Sequence, residues 1–167
     1  MRRTLCVLAL LLAIAAPGLA QQVDWSKKPL QSERSRDFDA LHYRIEIRLD
    51  LDQSSFEGQT TVSVTSLRDG LDACVLDAEE FAVTKVLSDW GAPLAFEQSA
   101  RELTVRMARP LRLGETRSFT VFYAGKGPKI GLRFMPAGPN NPQLVFSDSF
   151  PDHVHHWFPC FDYPNDK

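Results

Sequence analysis

The sequence lacks most of the features that settle a protein's class by themselves. It has three cysteines in 167 residues, and only Cys74 and Cys160 lie beyond the first twenty positions. Two cysteines do not make a disulfide framework, although they can pair in an oxidising compartment. No histidine is followed by glutamate, so the metalloprotease pattern H-E-x-x-H is absent, and no Cys-x-x-Cys pair is present. No basic patch stands out, which argues against nucleic acid as a partner. Beyond residue 20, no stretch of ten or more residues keeps a helical period. The longest apolar run, Leu5–Ala16, has 12 residues. A membrane-spanning helix needs about 20.

That run reads instead as part of a leader. Arg2 and Arg3 precede it, Pro17-Gly18 break it, and Ala20 ends it before Gln21-Gln22. This is the order of a secretory signal peptide cleaved after Ala20. The expectation is an exported protein, periplasmic or secreted, with no membrane partner once residues 1–20 are removed. Without Arg2 and Arg3, 17 basic residues face 21 acidic ones, a net charge of −4.

Residues 21–37 are polar, contain Pro29 and read as a linker. The chain then shifts to period-two alternation. Tyr43, Ile45, Ile47, Leu49 and Leu51 share one face, against only polar or charged groups on the other. One packed and one wet face is the antiparallel pattern. A turn at Asp52–Ser55 leads to a second strand over Phe56–Leu67, so a hairpin is expected. Further strands are expected at Ala73–Leu76, Ala82–Ser88, Leu94–Glu97, Glu102–Met107 and Arg117–Tyr123. Gly91-Ala92-Pro93 and Leu113-Gly114-Glu115 mark turns. Many short strands at this spacing predict an all-β, antiparallel, sandwich-like domain. Ala124–Pro151 is rich in glycine and proline and reads as loop, with short extended pieces at Leu132–Met135 and Gln143–Ser147.

The stretch HVHHWFPCFDYP, from His153 to Pro164, gathers ligand-type side chains. On a strand His153 and His155 share a face; on a helix His153 and His156 do. Either way one local pair forms, and Cys160 lies beyond Pro159. No structural zinc spacing fits. The reading is that the histidines stack and hydrogen-bond beside Trp157 at a domain junction, with no metal ligands assigned. A small metalloprotein built on His153, His155, His156 and Cys160 remains an alternative. Cys160, between Pro159 and Phe161, has the apolar setting of a packed thiol rather than a nucleophile. Trp157, Phe158, Phe161 and Tyr163 would be awkward at a free terminus, so they are expected to pack against a further domain.

Phe158-Pro159-Cys160-Phe161-Asp162-Tyr163-Pro164 resembles the F-P-C-F-D-x-P segment of the aminopeptidase N family of zinc metallopeptidases. Leu41–Asp52 followed by Phe56-Glu57-Gly58 is similar to that family's opening hairpin. The resemblance covers residues 38–167. It implies a saddle-shaped N-terminal β domain that packs against a catalytic domain of the same polypeptide and borders its cleft. The catalytic domain, which would carry the zinc, is absent from this chain, so no cofactor is expected on these residues and the chain alone should be inactive. The family's N-terminal domain grips the free amino terminus of a peptide substrate through an (E/Q)-P-x-x-x-R stretch. Counting back from Phe158-Pro159-Cys160, its proline matches Pro151, its acidic position falls on Phe150 and its arginine on His155. Both depart from the pattern. Asp148 and Asp152 flank the position, and Asp148 is the candidate substitute. The alternative from a different class is a stand-alone secreted β-sandwich that binds a partner through an exposed aromatic tail.

Overall fold

The computed structural model describes residues 36–163. The expected signal peptide at 1–20 and nearly all of the expected linker at 21–37 lie outside them. Nine strands and one 3-10 turn follow in order: β1 Phe38–Asp50, β2 Ser55–Ser66, β3 Leu71–Asp77, β4 Phe81–Ser88, β5 Phe96–Gln98, β6 Glu102–Leu111, β7 Thr116–Lys126, β8 Gly131–Met135, β9 Leu144–Asp148, and the turn at Val154–His156. The pairings are antiparallel. Among the described residues no helix is long and apolar enough to cross a membrane.

Alternation in the sequence becomes the two faces of a sheet. β1 and β2 form the expected hairpin, with Tyr43 opposite Val62 and Leu49 opposite Phe56. Its turn is fixed locally: the Gln53 N–H donates to Asp50 Oδ1 at 2.9 Å, and Ser54 takes a left-handed φ of 50°. A four-stranded sheet runs β1-β2-β7-β4, and a three-stranded sheet runs β3-β6-β5. Val62 and Val64 of β2, Val86 of β4, and Phe119, Val121 and Tyr123 of β7 are buried in one core with Leu71, Cys74 and Leu76 of β3 and Leu103 and Val105 of β6. This is the sandwich that the strand spacing predicts. Burial of this kind stabilises by about 25 cal/mol per Å² of apolar surface. It also pushes the Cys74 thiol up to about 12, because the core disfavours a thiolate.

Two glycines let β2 and β7 close over aromatic rings. Phe56 pairs with Gly125, and Tyr123 with Gly58. A Cβ at Gly125 would stand 2.4 Å from the Phe56 ring, and one at Gly58 would stand 2.5 Å from the Tyr123 ring. Both rings are buried, so neither can simply swing away. The Tyr123 hydroxyl reaches buried Thr60 Oγ1 at 2.9 Å, which satisfies both groups inside the core.

The predicted apolar face of β1 is correct in phase but only half-buried at Tyr43, Ile45, Ile47 and Leu49. β1 is an edge strand of the wider sheet, and the facing sheet has one strand fewer. The two extended pieces predicted inside the long loop pair as the β8–β9 hairpin.

One expectation needs correction. The aromatic tail does not wait for a further domain. Phe158 and Phe161 are 7% and 8% exposed, and Pro159 and Cys160 are buried with them. Phe158 meets Tyr43 edge-on with ring centroids 6.0 Å apart, and Phe161 meets Phe38 at 5.9 Å. Cys160 and Asp77 exchange backbone hydrogen bonds of 2.7 and 3.2 Å, which lay the tail along the end of β3. Phe158, Cys160 and Phe161 thus fill this domain's own core, while Trp157 and Tyr163 stay half-buried against it.

Candidate functional site

Two regions hold the singled-out residues. The first is the rim formed by the β8–β9 hairpin. In an antiparallel pair, residues directly opposite one another point to the same face. Met135 faces Leu144, Arg133 faces Phe146 and Gly131 faces Asp148. All of these except Gly131 are exposed, while Leu132, Phe134 and Val145 on the other face pack toward the core. Asp148, the last residue of β9, is half-exposed, with its Oδ2 3.9 Å from an Arg133 guanidinium nitrogen. Phe150 follows, 85% exposed, at a cis peptide bond to Pro151. Asp152 lies 4.0 Å from His153 Nε2. The rim therefore presents Asp148 and Phe150 to solvent beside an apolar patch.

The second region is a polar junction where the 3-10 turn meets the loop between β3 and β4. Asp162 organises it. Its Oδ2 accepts the backbone N–H groups of Val154 at 3.0 Å and His155 at 3.2 Å, and it lies 2.7 Å from His155 Nδ1. The Asp162 N–H in turn donates to Asp77 Oδ2 at 3.0 Å, and the Phe161 N–H to the Tyr43 hydroxyl at 2.9 Å. Burial works to raise the Asp162 carboxyl, but the hydrogen bonds from His155 and Val154 outweigh it and hold it below the usual range. The same bond raises the His155 imidazole against its own burial, helped by the negative charges of Asp162, Asp77 and Glu79.

Glu79 and Glu80 close the junction from the other side. The Glu79 N–H donates to the His155 carbonyl at 2.9 Å, and Glu79 Oε2 lies 3.5 Å from His155 Nε2. Glu80 sits at φ 63°, a region uncommon for a residue with a side chain. Its Oε2 accepts the N–H groups of Lys129 at 3.0 Å and Ile130 at 3.3 Å. His156 is 7% exposed and stacks on His155 with ring centroids 4.3 Å apart. Burial and then the neighbouring His155 charge lower its pKa.

Of the three histidines expected to stack and hydrogen-bond beside Trp157, His155 hydrogen-bonds through its ring to Asp162 and stacks on His156, while the ring Nδ1 atoms of His153 and His156 have no hydrogen-bond partner. His155 and His156 come together with Glu79, and the ligand atoms of these three lie within 4.8 Å of one another. His153 and Cys160, named in the alternative metal reading, are outside that group. Sequence reasoning missed Asp77, Glu79 and Glu80. Their only signal is a short acidic run after a strand, nearly eighty residues from its partners. His155 stands where the resemblance places an arginine, and it keeps a cation-capable group against Asp162.

Comparisons with known proteins agree with the fold. A search of curated protein sequences returned no match. Among solved structures, an M1 zinc metallopeptidase from Deinococcus radiodurans is similar at 29% identity and a TM-score of 0.65 over 79% of this chain. This chain covers 31% of that one. A mutant of that enzyme, solved with a Tyr-Ser-Ala substrate, is similar at 28% identity and a TM-score of 0.64, over 78% of this chain and 31% of that one. Leukotriene A4 hydrolase from Saccharomyces cerevisiae shares the fold at a TM-score of 0.66 and 20% identity, over 85% of this chain and 25% of that one. The family profile described as the Peptidase M1 N-terminal domain matches residues 39–167. On that match, which begins one residue into β1 and takes in both sheets, the rim and the junction, the chain belongs to the Peptidase M1 N-terminal domain family.

Proposed function

We propose that this chain is the non-catalytic N-terminal β domain of an exported, zinc-dependent aminopeptidase, and that its β8–β9 rim borders the cleft that receives a peptide's free amino terminus. The observation that carries this reading is the outer face of the hairpin. Met135, Leu144 and Phe146 are large apolar groups left exposed there, and Phe150 is exposed two residues past the end of β9. Apolar side chains gathered on one exposed face mark an interaction surface. The partner assigned to it is the catalytic domain of the same polypeptide.

Asp148 is the residue of this rim suited to a substrate ammonium, because a carboxylate accepts charge-assisted hydrogen bonds. Phe150, at the family's anchor position, can attract a cation only through its ring, by about 0.5–2 kcal/mol. Arg133 beside Asp148 would be displaced or shared when the ammonium arrives. The zinc belongs to the catalytic domain, since H-E-x-x-H has no counterpart in these 167 residues. When bound there, it activates water for attack on the scissile carbonyl. The leader at 1–20 supports export.

The test is aminopeptidase activity of the complete gene product on aminoacyl-coumarin substrates. Asp148→Ala is expected to raise KM by about 10-fold, with a smaller change in kcat. A zinc-loaded product without activity overturns the enzyme reading. An unchanged KM in Asp148→Ala removes Asp148 from the anchor role.

A further inference from the structure

We propose that Glu79, His155 and His156 form a binding site for a divalent transition cation of the zinc type, separate from any zinc of a catalytic domain. One ligand atom from each of the three already lies within 4.8 Å of the others. Zinc bonds of about 2.0–2.1 Å at the tetrahedral angle place ligand atoms roughly 3.3–3.5 Å apart. His155 Nε2 and Glu79 Oε2 stand at 3.5 Å, which is that spacing. The remaining closure is about 1 Å, within reach of side-chain torsions.

The surroundings prepare the two rings as ligands. Asp162 Oδ2, 2.7 Å from His155 Nδ1, fixes the ring and leaves Nε2 facing Glu79. A carboxylate on the far nitrogen is the usual outer support of a metal-bound histidine. His156 is more than nine-tenths buried, and its Nδ1 has no hydrogen-bond partner. A buried polar atom without a partner is costly, so its retention calls for one. The contact at hand is Glu80 Oε2 at 3.5 Å, and that oxygen already accepts two backbone N–H groups. Arg101 Nε, 3.4 Å from Glu79 Oε2, is the competing cation, and its largely exposed side chain can turn away.

Two imidazoles and a carboxylate suit zinc, cobalt or nickel over magnesium or calcium. Three protein ligands leave one position for water. Both histidines sit in the 3-10 turn, and Glu79 sits in the loop between β3 and β4. A bound cation would therefore pin the segment leading into Phe158–Phe161 onto the sandwich.

The test uses the chain from Gln21 onward without a histidine tag, stripped with a chelator and titrated with zinc by calorimetry and with cobalt(II) by visible absorption. About one cation per chain is expected, with a Kd at or below roughly 10 µM. Glu79→Gln and His156→Ala are each expected to weaken binding by about 100-fold, and Asp162→Asn by about 10–100-fold. His42→Ala, at an exposed histidine on β1, should change nothing. If His156→Ala does not fold, Glu79→Gln on its loop decides. Wild-type binding weaker than about 1 mM, or binding unchanged in Glu79→Gln, overturns the proposal.

Discussion

The sandwich of β1–β7 and the segment from Gly127 to Tyr163 are held by different physics. In the sandwich, buried apolar side chains and long strand ladders do most of the holding, and each contributes a share of a large sum. In the later segment, single polar groups hold whole stretches of backbone. Asp162 secures two N–H groups and an imidazole, Glu80 secures two N–H groups, and Tyr43 and Asp77 secure one each. The aromatic residues of the tail then fill the gap beside β1. The lesson is that distributed packing tolerates small losses anywhere, whereas a loop anchored by a few carboxylates fails locally when one of them is removed.

The contrast can be broken from either side. The largest loss is expected for Phe119→Ala, which empties a fully buried site between the sheets. It should cost about 3–5 kcal/mol in urea unfolding. Hydrogen exchange should accelerate across β2 and β7 together. A smaller cost, with the opposite sign of volume change, is expected for Gly125→Ala, where the new methyl meets the Phe56 ring. Overpacking of this kind costs about 1–3 kcal/mol, and pairing it with Phe56→Leu should recover part of that.

Asp162→Ala tests the other mode. It strands two half-buried donors, at a cost of about 1 kcal/mol. Here the amides of Val154 and His155 should exchange faster while those of β2 and β7 keep their protection. Uniform acceleration across the molecule would show that the two regions are not distinct.

The pH dependence of the metal-free protein sharpens the same comparison. His155 holds its proton more tightly folded than unfolded, so its contribution is complete below 6.5 and drains away as pH rises through its raised folded value. Asp162 contributes fully above 3.8 and loses that share as pH falls through its lowered folded value. His156 opposes His155: the fold disfavours its proton, so acidification below 6.5 costs stability there. Melting temperature against pH should therefore have a maximum whose two limbs both flatten in Asp162→Asn. The smallest effect belongs to Glu115, whose hydrogen bonds from Arg109 and Arg112 hold its carboxyl down at about 2. Glu115→Gln should only slightly reduce the loss of stability between pH 4.5 and 2, and salt should mask it.

The same division explains what could be read from the sequence. β1, β2, β6 and β7 show clear alternation because one face is packed and one is wet. Even β8 and β9 were visible as short extended pieces between glycines and prolines. Domain class and family followed from those strands and from Phe158–Asp162. Hydrophobicity shows that Phe158 and Phe161 will be buried but not against what. Only long-range pairing reveals that Phe161 belongs with Phe38 and Cys160 with Asp77. The junction was half-legible. Its histidines stand together in the sequence, whereas Glu79 and Glu80 are assigned to them only by the fold. The rim residues Asp148 and Phe150 were placed by counting back from Pro159, and the fold leaves both exposed.

The central claim is that this domain belongs to a zinc aminopeptidase, and the most direct measurement is the DNA sequence downstream of the Lys167 codon. The account predicts a reading frame that continues into H-E-x-x-H with a glutamate further on. A stop codon directly after Lys167 would contradict it.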